Sequence, residues 1–224
     1  MPIPIITIDG PSGTGKGTLA SGLARLLGWH LLDSGALYRV VAYVARRRHI
    51  AFDQAEPLSE IARSLALEFR LASESVQILV DDEDVTDKIR SESAGGDASE
   101  VAAIPMVRDA LLVYQRECWR LPGLVADGRD MGTVVFPMAE LKIFLTASPG
   151  VRAQRRYKQL KQKGIDVNLA RLSEDIAARD RRDEQRKVSP LQPASDAIIL
   201  DTTALNIGSV EESVKALARE HGWL

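Results

Sequence analysis

Cysteine is almost missing from this 224-residue chain. Cys118 stands alone, so no disulfide can close within it and nothing points to an oxidising compartment. Asparagine is nearly as scarce: only Asn168 and Asn206 occur, and neither precedes a lysine. That removes the Asn-Lys-x-Asp signature expected of a guanine-reading switch. Histidine is limited to His30, His49 and His221; they are scattered, form no obvious pair with a carboxylate, and are expected to be structural or solvated. No apolar run approaches the roughly 18 residues of a membrane span, and the start MPIPIITIDG lacks a basic segment ahead of an apolar one. The expectation is a cytoplasmic protein with no membrane partner. Repeats and low-complexity segments are also missing.

What is present suits one α/β domain of residues 1–224 with a small insert, long enough to bury a core. Hydrophobic residues make up 45% and charged ones 27%, ordinary for a globular protein. The net charge of −2 hides an asymmetry, because residues 151–190 hold 12 Lys/Arg against 6 Asp/Glu. One basic segment on an acidic body suggests an anion held at one place, whereas a nucleic-acid polymer calls for a broad basic face. A solvated charged helix is the plainer alternative.

Hydrophobic spacing orders the chain. Ile3–Asp9 reads as a buried strand, and from Gly15 the period becomes helical through Leu19, Leu23, Leu26 and Leu27. Trp29–Leu32 reads as a second strand, after which Ser34 caps a helix through Tyr38, Val41 and Val44. A helix is expected near Pro57–Leu67. Between Glu68 and Ile89 apolar and polar residues alternate about Ser73–Ser75, predicting an antiparallel hairpin. Pro105 opens a helix to about Trp119; Leu124–Asp127 and Leu141–Leu145 are core strands. A long helical stretch follows, broken around Lys163–Asn168, then a last strand, Ala197–Asp201, and a closing helix, Val210–Glu220. This alternation predicts a mostly parallel sheet covered on both faces, with the ligand crevice at the carboxyl ends of its strands.

Gly10-Pro11-Ser12-Gly13-Thr14-Gly15-Lys16-Gly17-Thr18 follows the first strand and opens a helix, the context that gives such a run meaning. Glycines let successive backbone N–H groups face one anion, and the helix N-terminus adds its positive end. Lys16 can reach β- and γ-phosphates, and the Thr18 hydroxyl is the expected contact for Mg²⁺ carried by the nucleotide. The strict motif places Ser or Thr directly after the lysine. Here Gly17 intervenes, a variant more similar to nucleoside monophosphate kinases than to GTPases or transport ATPases.

Three further segments narrow the reading: Leu31-Leu-Asp-Ser34-Gly-Ala-Leu-Tyr38-Arg39, Val125-Ala-Asp-Gly128-Arg129-Asp130-Met-Gly-Thr-Val, and Arg179-Asp-Arg-Arg-Asp183-Glu-Gln-Arg186. With the glycine-rich run, they make the chain resemble the bacterial cytidylate kinases over essentially its whole length. The resemblance implies a P-loop three-layer fold: a parallel five-stranded core (1–67, 104–150 and 186–224), a small antiparallel β insert that binds the acceptor (about 68–103), and a helical lid (about 151–185). It implies ATP as donor, CMP or dCMP as acceptor, Mg²⁺ as cofactor, a place in pyrimidine nucleotide metabolism and, weakly, a monomer. Carried over by matching position, Ser99, Arg108 and Asp130 contact the cytosine, and Arg179 and Asp183 hold the ribose. Arg39, Arg129 and Arg186 hold phosphate, while Ser34 and Tyr38 shape the pocket. Lys16, Arg129, Arg186 and Asp130 form the catalytic set. Arg152, Arg155 and Arg156 fall where lid arginines are expected; Arg156 is counted with the ATP contacts, as are residues 10–18. One departure stands out, since family members usually carry Gly-Asn-Ala-Ala-Ser where this chain has Gly95-Gly96-Asp97-Ala98-Ser99.

The chemistry suits these residue types. Cytosine offers an exocyclic amino donor where uracil offers a carbonyl, and a carboxylate such as Asp130 accepts from the former; the alternative for Asp130 is an ion pair with Arg129. A phosphate acceptor has its second pKa near about 6 and needs no general base. The obstacle is repulsion, about 4 kcal/mol for two like charges about 4 Å apart at an effective dielectric near 20. Lysine, Mg²⁺ and forked arginines offset it and stabilise the transferring group. The break near Gly164 reads as a lid tip that excludes water, or as an ordinary helix connection. The nearest rival is a kinase of an alcohol, with Asp33 as its base.

Overall fold

The computed structural model describes residues 3–71, 76–162 and 164–224; the hairpin turn at Ser73–Ser75 and Lys163 lie outside the described residues. In chain order the elements are β1 (Ile5–Asp9), α1 (Lys16–Leu27), β2 (His30–Asp33), α2 (Ser34–Arg47), α3 (Ala55–Arg63), β3 (Leu67–Leu71), β4 (Val76–Val80), β5 (Glu83–Asp84), α4 (Glu92–Val101), α5 (Pro105–Glu117), β6 (Leu124–Gly128), a π-type turn (Met131–Val135), β7 (Leu141–Thr146), α6 (Pro149–Gln162), α7 (Leu169–Gln185), β8 (Ile198–Asp201) and α8 (Ile207–Glu220).

The core sheet has five parallel strands in the order β2-β6-β1-β7-β8, and β3-β4-β5 form a separate antiparallel sheet. Strand β1 is buried along its whole length because both of its faces are covered, which is why it reads as a run of branched residues rather than an alternation. One layer packs Ile5 and Leu32 against α2, α3 and α5; the other packs Ile6, Ile8 and Val125 against α1 and α8. Parallel register brings Asp9 level with Gly128 and Asp33 level with Asp127. Three carboxylates therefore stand at the carboxyl ends of three adjacent strands.

Local chemistry departs from expectation at three places. Asp33, not Ser34, caps α2, its Oδ1 accepting from the Ala36 N–H at 3.0 Å; Ser34 is the first helical residue. Strand β5 spans only two residues, too short to carry a period. Helix α4 was not foreseen, because Gly95 and Gly96 count against a helix by about 1 kcal/mol each. Its apolar residues Ala98, Val101 and Ala102 share a buried cluster with Tyr38, Val41 and Ala45 of α2, and that packing outweighs the propensity. Ser91 caps it by accepting from the Ala94 N–H.

A cleft separates the antiparallel sheet from the core. Its walls carry Phe69 of β3, Trp29 and His30 before and within β2, and Tyr114 and Cys118 at the end of α5. The Tyr114 hydroxyl crosses it, donating to the Leu67 carbonyl at 2.7 Å. The histidines serve structure: His30 Nε2 bonds the Leu121 carbonyl, and His221 bonds the Leu217 carbonyl while stacking on Trp223. Among the described residues no helix is long and apolar enough to cross a membrane.

Candidate active site

The turn after β1 has the shape its glycines foretell. Gly10 has φ +142° and passes so close to β7 that a Cβ there would lie 2.1 Å from the Leu145 carbonyl oxygen. Gly15 caps α1 in the left-handed region, at φ 95°. Lys16 is buried and its Nζ donates to the Pro11 carbonyl at 2.7 Å, so the chain curls around its own ammonium. Burial, with Arg129 near by, lowers the Lys16 pKa from 10.5 to about 7. An anion in the turn restores its charge. Thr18 is exposed on the first turn of α1, with the Asp127 Oδ2 beside that turn, 3.4 Å from where a Cβ on Gly17 would sit.

A pocket opens beside the turn where the carboxyl ends of β2 and β6 meet α2, α4 and α7. Predicted residues from five places along the chain converge on it: Ser34 and Tyr38, Ser99, Arg108, Arg129 and Asp130, and finally Arg179, Asp183 and Arg186. Arg39 stands at its edge with its Nη1 donating to the Ile89 carbonyl at 3.1 Å, and its Nη2 approaches Gly95 from the same side as Arg179. The free space amounts to about 40 Å³, little more than the ~30 Å³ share of one water.

The side chains fill the pocket by pairing with each other. Asp130 is buried and bonds Arg108, not Arg129, and Arg108 also donates to the Ala102 carbonyl. Arg129 Nε donates to Asp183 Oδ2 at 3.0 Å, and Ser99 Oγ donates to Asp183 Oδ1 at 3.2 Å. Ser34 accepts from Gln115 at 2.9 Å. Burial works against ionisation of Asp183, yet the cations of Arg129, Arg179 and Arg186 hold it below the ordinary carboxylate range.

Cations nevertheless crowd one another. Burial, then Arg129 and Arg39, bring Arg179 down to about 9, and burial and Arg108 lower Arg186. Among the described residues, Arg179 Nε and Arg186 Nε are buried with no hydrogen-bond partner. Forked donors held in that state are complementary to an anion with several oxygens.

The three arginines of α6 separate. Arg152 is buried, paired with Asp180 of α7 at 2.6 Å and donating to the Ser12 carbonyl at 3.0 Å, which ties both long helices to the glycine-rich turn. Arg155 bonds Thr202 and the Leu205 carbonyl. Arg156 points across to α4, where it pairs with Glu92 and donates to the Arg90 carbonyl. At the departure, Asp97 turns outward to a bidentate pair with Arg46 at 3.1 and 2.9 Å, and a Cβ on Gly96 would meet nothing within 4 Å.

Two acids escaped the sequence reading. Asp9 is buried and accepts from the Met131 and Gly132 N–H groups at 2.9 and 2.8 Å; burial raises its pKa to about 6. Burial also lifts Asp127 well above the ordinary carboxylate range. Their place at the last position or two of core strands was the available signal.

A model of the cytidylate kinase family matches residues 6–220. A cytidylate kinase of Pseudomonas paraeruginosa is 54% identical over 223 residues, 99% of this chain and 97% of the relative. Cytidylate kinases of Pseudomonas savastanoi pv. phaseolicola and Aeromonas hydrophila are 57% and 53% identical, over 94% and 97% of this chain and 93% and 94% of theirs. Among solved structures, an uncharacterised protein from Eubacterium ventriosum aligns with a TM-score of 0.51 at 12% identity, covering 97% of this chain and 99% of that one, a likeness of fold alone.

Proposed function

Since the chain belongs to the cytidylate kinase family and so is a kinase that phosphorylates CMP from a nucleotide donor, we propose that the donor is ATP, that dCMP also serves as acceptor, and that the products are ADP and CDP or dCDP. The observation that carries this reading is the packing of Arg129 and Arg179 near Lys16, with Arg39 and Arg186 in the same cluster and two buried guanidinium nitrogens unpartnered. So much positive charge next to a phosphate-binding turn suits two phosphorylated ligands meeting end to end.

In this reading residues 10–18 cradle the donor phosphates and Lys16 spans the β- and γ-groups. Arg39, Arg129 and Arg186 grip the acceptor phosphate, whose oxygen attacks the γ-phosphorus while the bond to the ADP oxygen breaks. Fixed cations supply the catalysis: they align the groups and stabilise the charge spread over the transferring phosphoryl. Asp130 accepts from the cytosine amino group, with Ser99 and Arg108 beside it. Arg179 and Asp183 take the ribose. Ser34 and Tyr38 shape the acceptor wall.

Mg²⁺ fits the donors near the turn. The Thr18 hydroxyl and the Asp127 carboxylate are hard oxygen groups, as that ion requires. In this reading the ion would arrive on the nucleotide and neutralise phosphate charge. The pairing of Asp33 Oδ1 with the α2 N-terminus speaks against its service as base for an alcohol. We place the enzyme in the cytoplasm, as a monomer acting in pyrimidine nucleotide metabolism. The proposed domains follow the same division: β3–β5 and α4 as the acceptor-binding insert, and α6–α7 as the lid.

The test is an acceptor panel of CMP, dCMP, UMP, AMP and simple alcohols with MgATP. CMP and dCMP should give the highest kcat/KM; an alcohol or AMP in first place would overturn the assignment.

A further inference from the structure

The pairing of Arg156 with Glu92 has no structural need that either partner could not meet otherwise. Glu92 opens α4 and is about one-third exposed, as is Arg156, and the helix is already capped by Ser91. What sets Glu92 apart is its company. Beyond Arg156, it acts electrostatically on Arg39 and Arg179, and Arg39 and Arg179 converge on the adjacent Gly95. Arg129 and Arg179 in turn act on Lys16. A chain of cations thus runs from the glycine-rich turn to α4, and Glu92 is the carboxylate at its far end.

We infer that Glu92 is an internal stand-in for phosphate: it holds Arg156 against α4 while the site is empty, and a polyphosphate must displace it to recruit that arginine. The inference rests on the proposed donor site. Carboxylate and phosphate compete for the same guanidinium fork, but a carboxylate carries one charge and two oxygens, whereas a triphosphate chain carries several of each. In that exchange α6 gives up its bond to Glu92, while Ser99 still joins α4 to α7 through Asp183 and Arg182. Glu92 is therefore a positioning residue, acting through Arg156 on donor affinity.

The substitution Glu92→Gln keeps the shape and helix position but removes the charge. Calorimetric titration with inorganic tripolyphosphate, which has neither base nor ribose, should show affinity raised about two- to fivefold, the scale of a partly exposed ion pair. Steady-state kinetics with MgATP should place the gain in KM for the donor rather than in kcat. In an Arg156→Ala background the Glu92→Gln change should have no further effect, since the two residues act as one unit. Native enzyme that binds tripolyphosphate as tightly as, or more tightly than, Glu92→Gln would overturn this inference alone. Native enzyme that fails to bind tripolyphosphate would overturn it together with the donor-site reading.

Discussion

Replacing Asp130 by alanine would remove two things at once, because its carboxylate is also the buried partner of Arg108. An uncompensated buried guanidinium costs about 3 kcal/mol or more, so Asp130→Ala should lower the melting temperature as well as activity. Asp130→Asn keeps an oxygen for Arg108 and isolates base reading: kcat/KM for CMP should fall about tenfold or more while that for UMP changes little. Equal losses on both would show that Asp130 does not read the base. Lys16→Ala should cost about a hundredfold in transfer with every acceptor, and full retained activity would undo the cradle assignment. The residues around residues 10–18 were legible because they are contiguous and flanked by a strand and a helix. Ser99 and Arg108 lie on separate helices and Arg179 tens of residues further on, and only likeness to known kinases grouped them. The position of Asp9 at the end of a core strand could mark it as a site candidate, but not its partners, since such a carboxylate looks the same whether it binds two N–H groups or water.

Helix α4 shows how neighbouring glycines differ in purpose. At Gly95 a Cβ would sit 3.0 Å from Arg179 Nη1, whereas at Gly96 it would meet nothing within 4 Å. Gly96→Ala should therefore stabilise the protein by about 0.5–1 kcal/mol with kinetics intact. Gly95→Ala gains the same helix preference but displaces Arg179, and should raise KM for CMP several-fold without lowering the melting temperature. The end of β1 carries a pH signature. The folded state raises Asp9 from 3.8 to about 6, so its contribution is fully present below pH 3.8 and is lost as pH climbs through 6. Relative to Asp9→Asn, the native protein should lose about 2 kcal/mol between pH 4 and 7, read from paired urea denaturations; a flat difference would show that Asp9 titrates normally. At this scale the strands and most helices follow from apolar spacing. Helix α4 does not, because its stability comes from packing against α2 rather than from its own residues.

At the scale of the whole molecule, the candidate pocket lies where the core strands meet α2, α4 and α7. If CMP binds beside Asp130 and Asp183, where about 40 Å³ is free, the hydrogen bonds of Ser99 with Asp183 and Arg182 that join α4 to α7 must open to admit it. Saturating CMP, at 100 times its dissociation constant, should add about 2.7 kcal/mol, or roughly 5–10 °C in melting temperature. No shift at millimolar CMP would favour a nucleotide switch without an acceptor. The five-stranded parallel sheet and its crevice were foreseeable from the alternation of strands and helices; the closed state of the pocket was not, because it depends on which of many charges find each other in space. The cleft behind the antiparallel sheet supplies a means to watch that opening. Its wall holds the molecule's lone thiol, Cys118, with Phe69 also lining the cleft and a pKa pushed up to about 11 by burial. If ligand binding moves the antiparallel sheet away from β2, the exposure of that sulfur changes, and its rate of reaction with a thiol-directed dye reports the movement without engineering a single position.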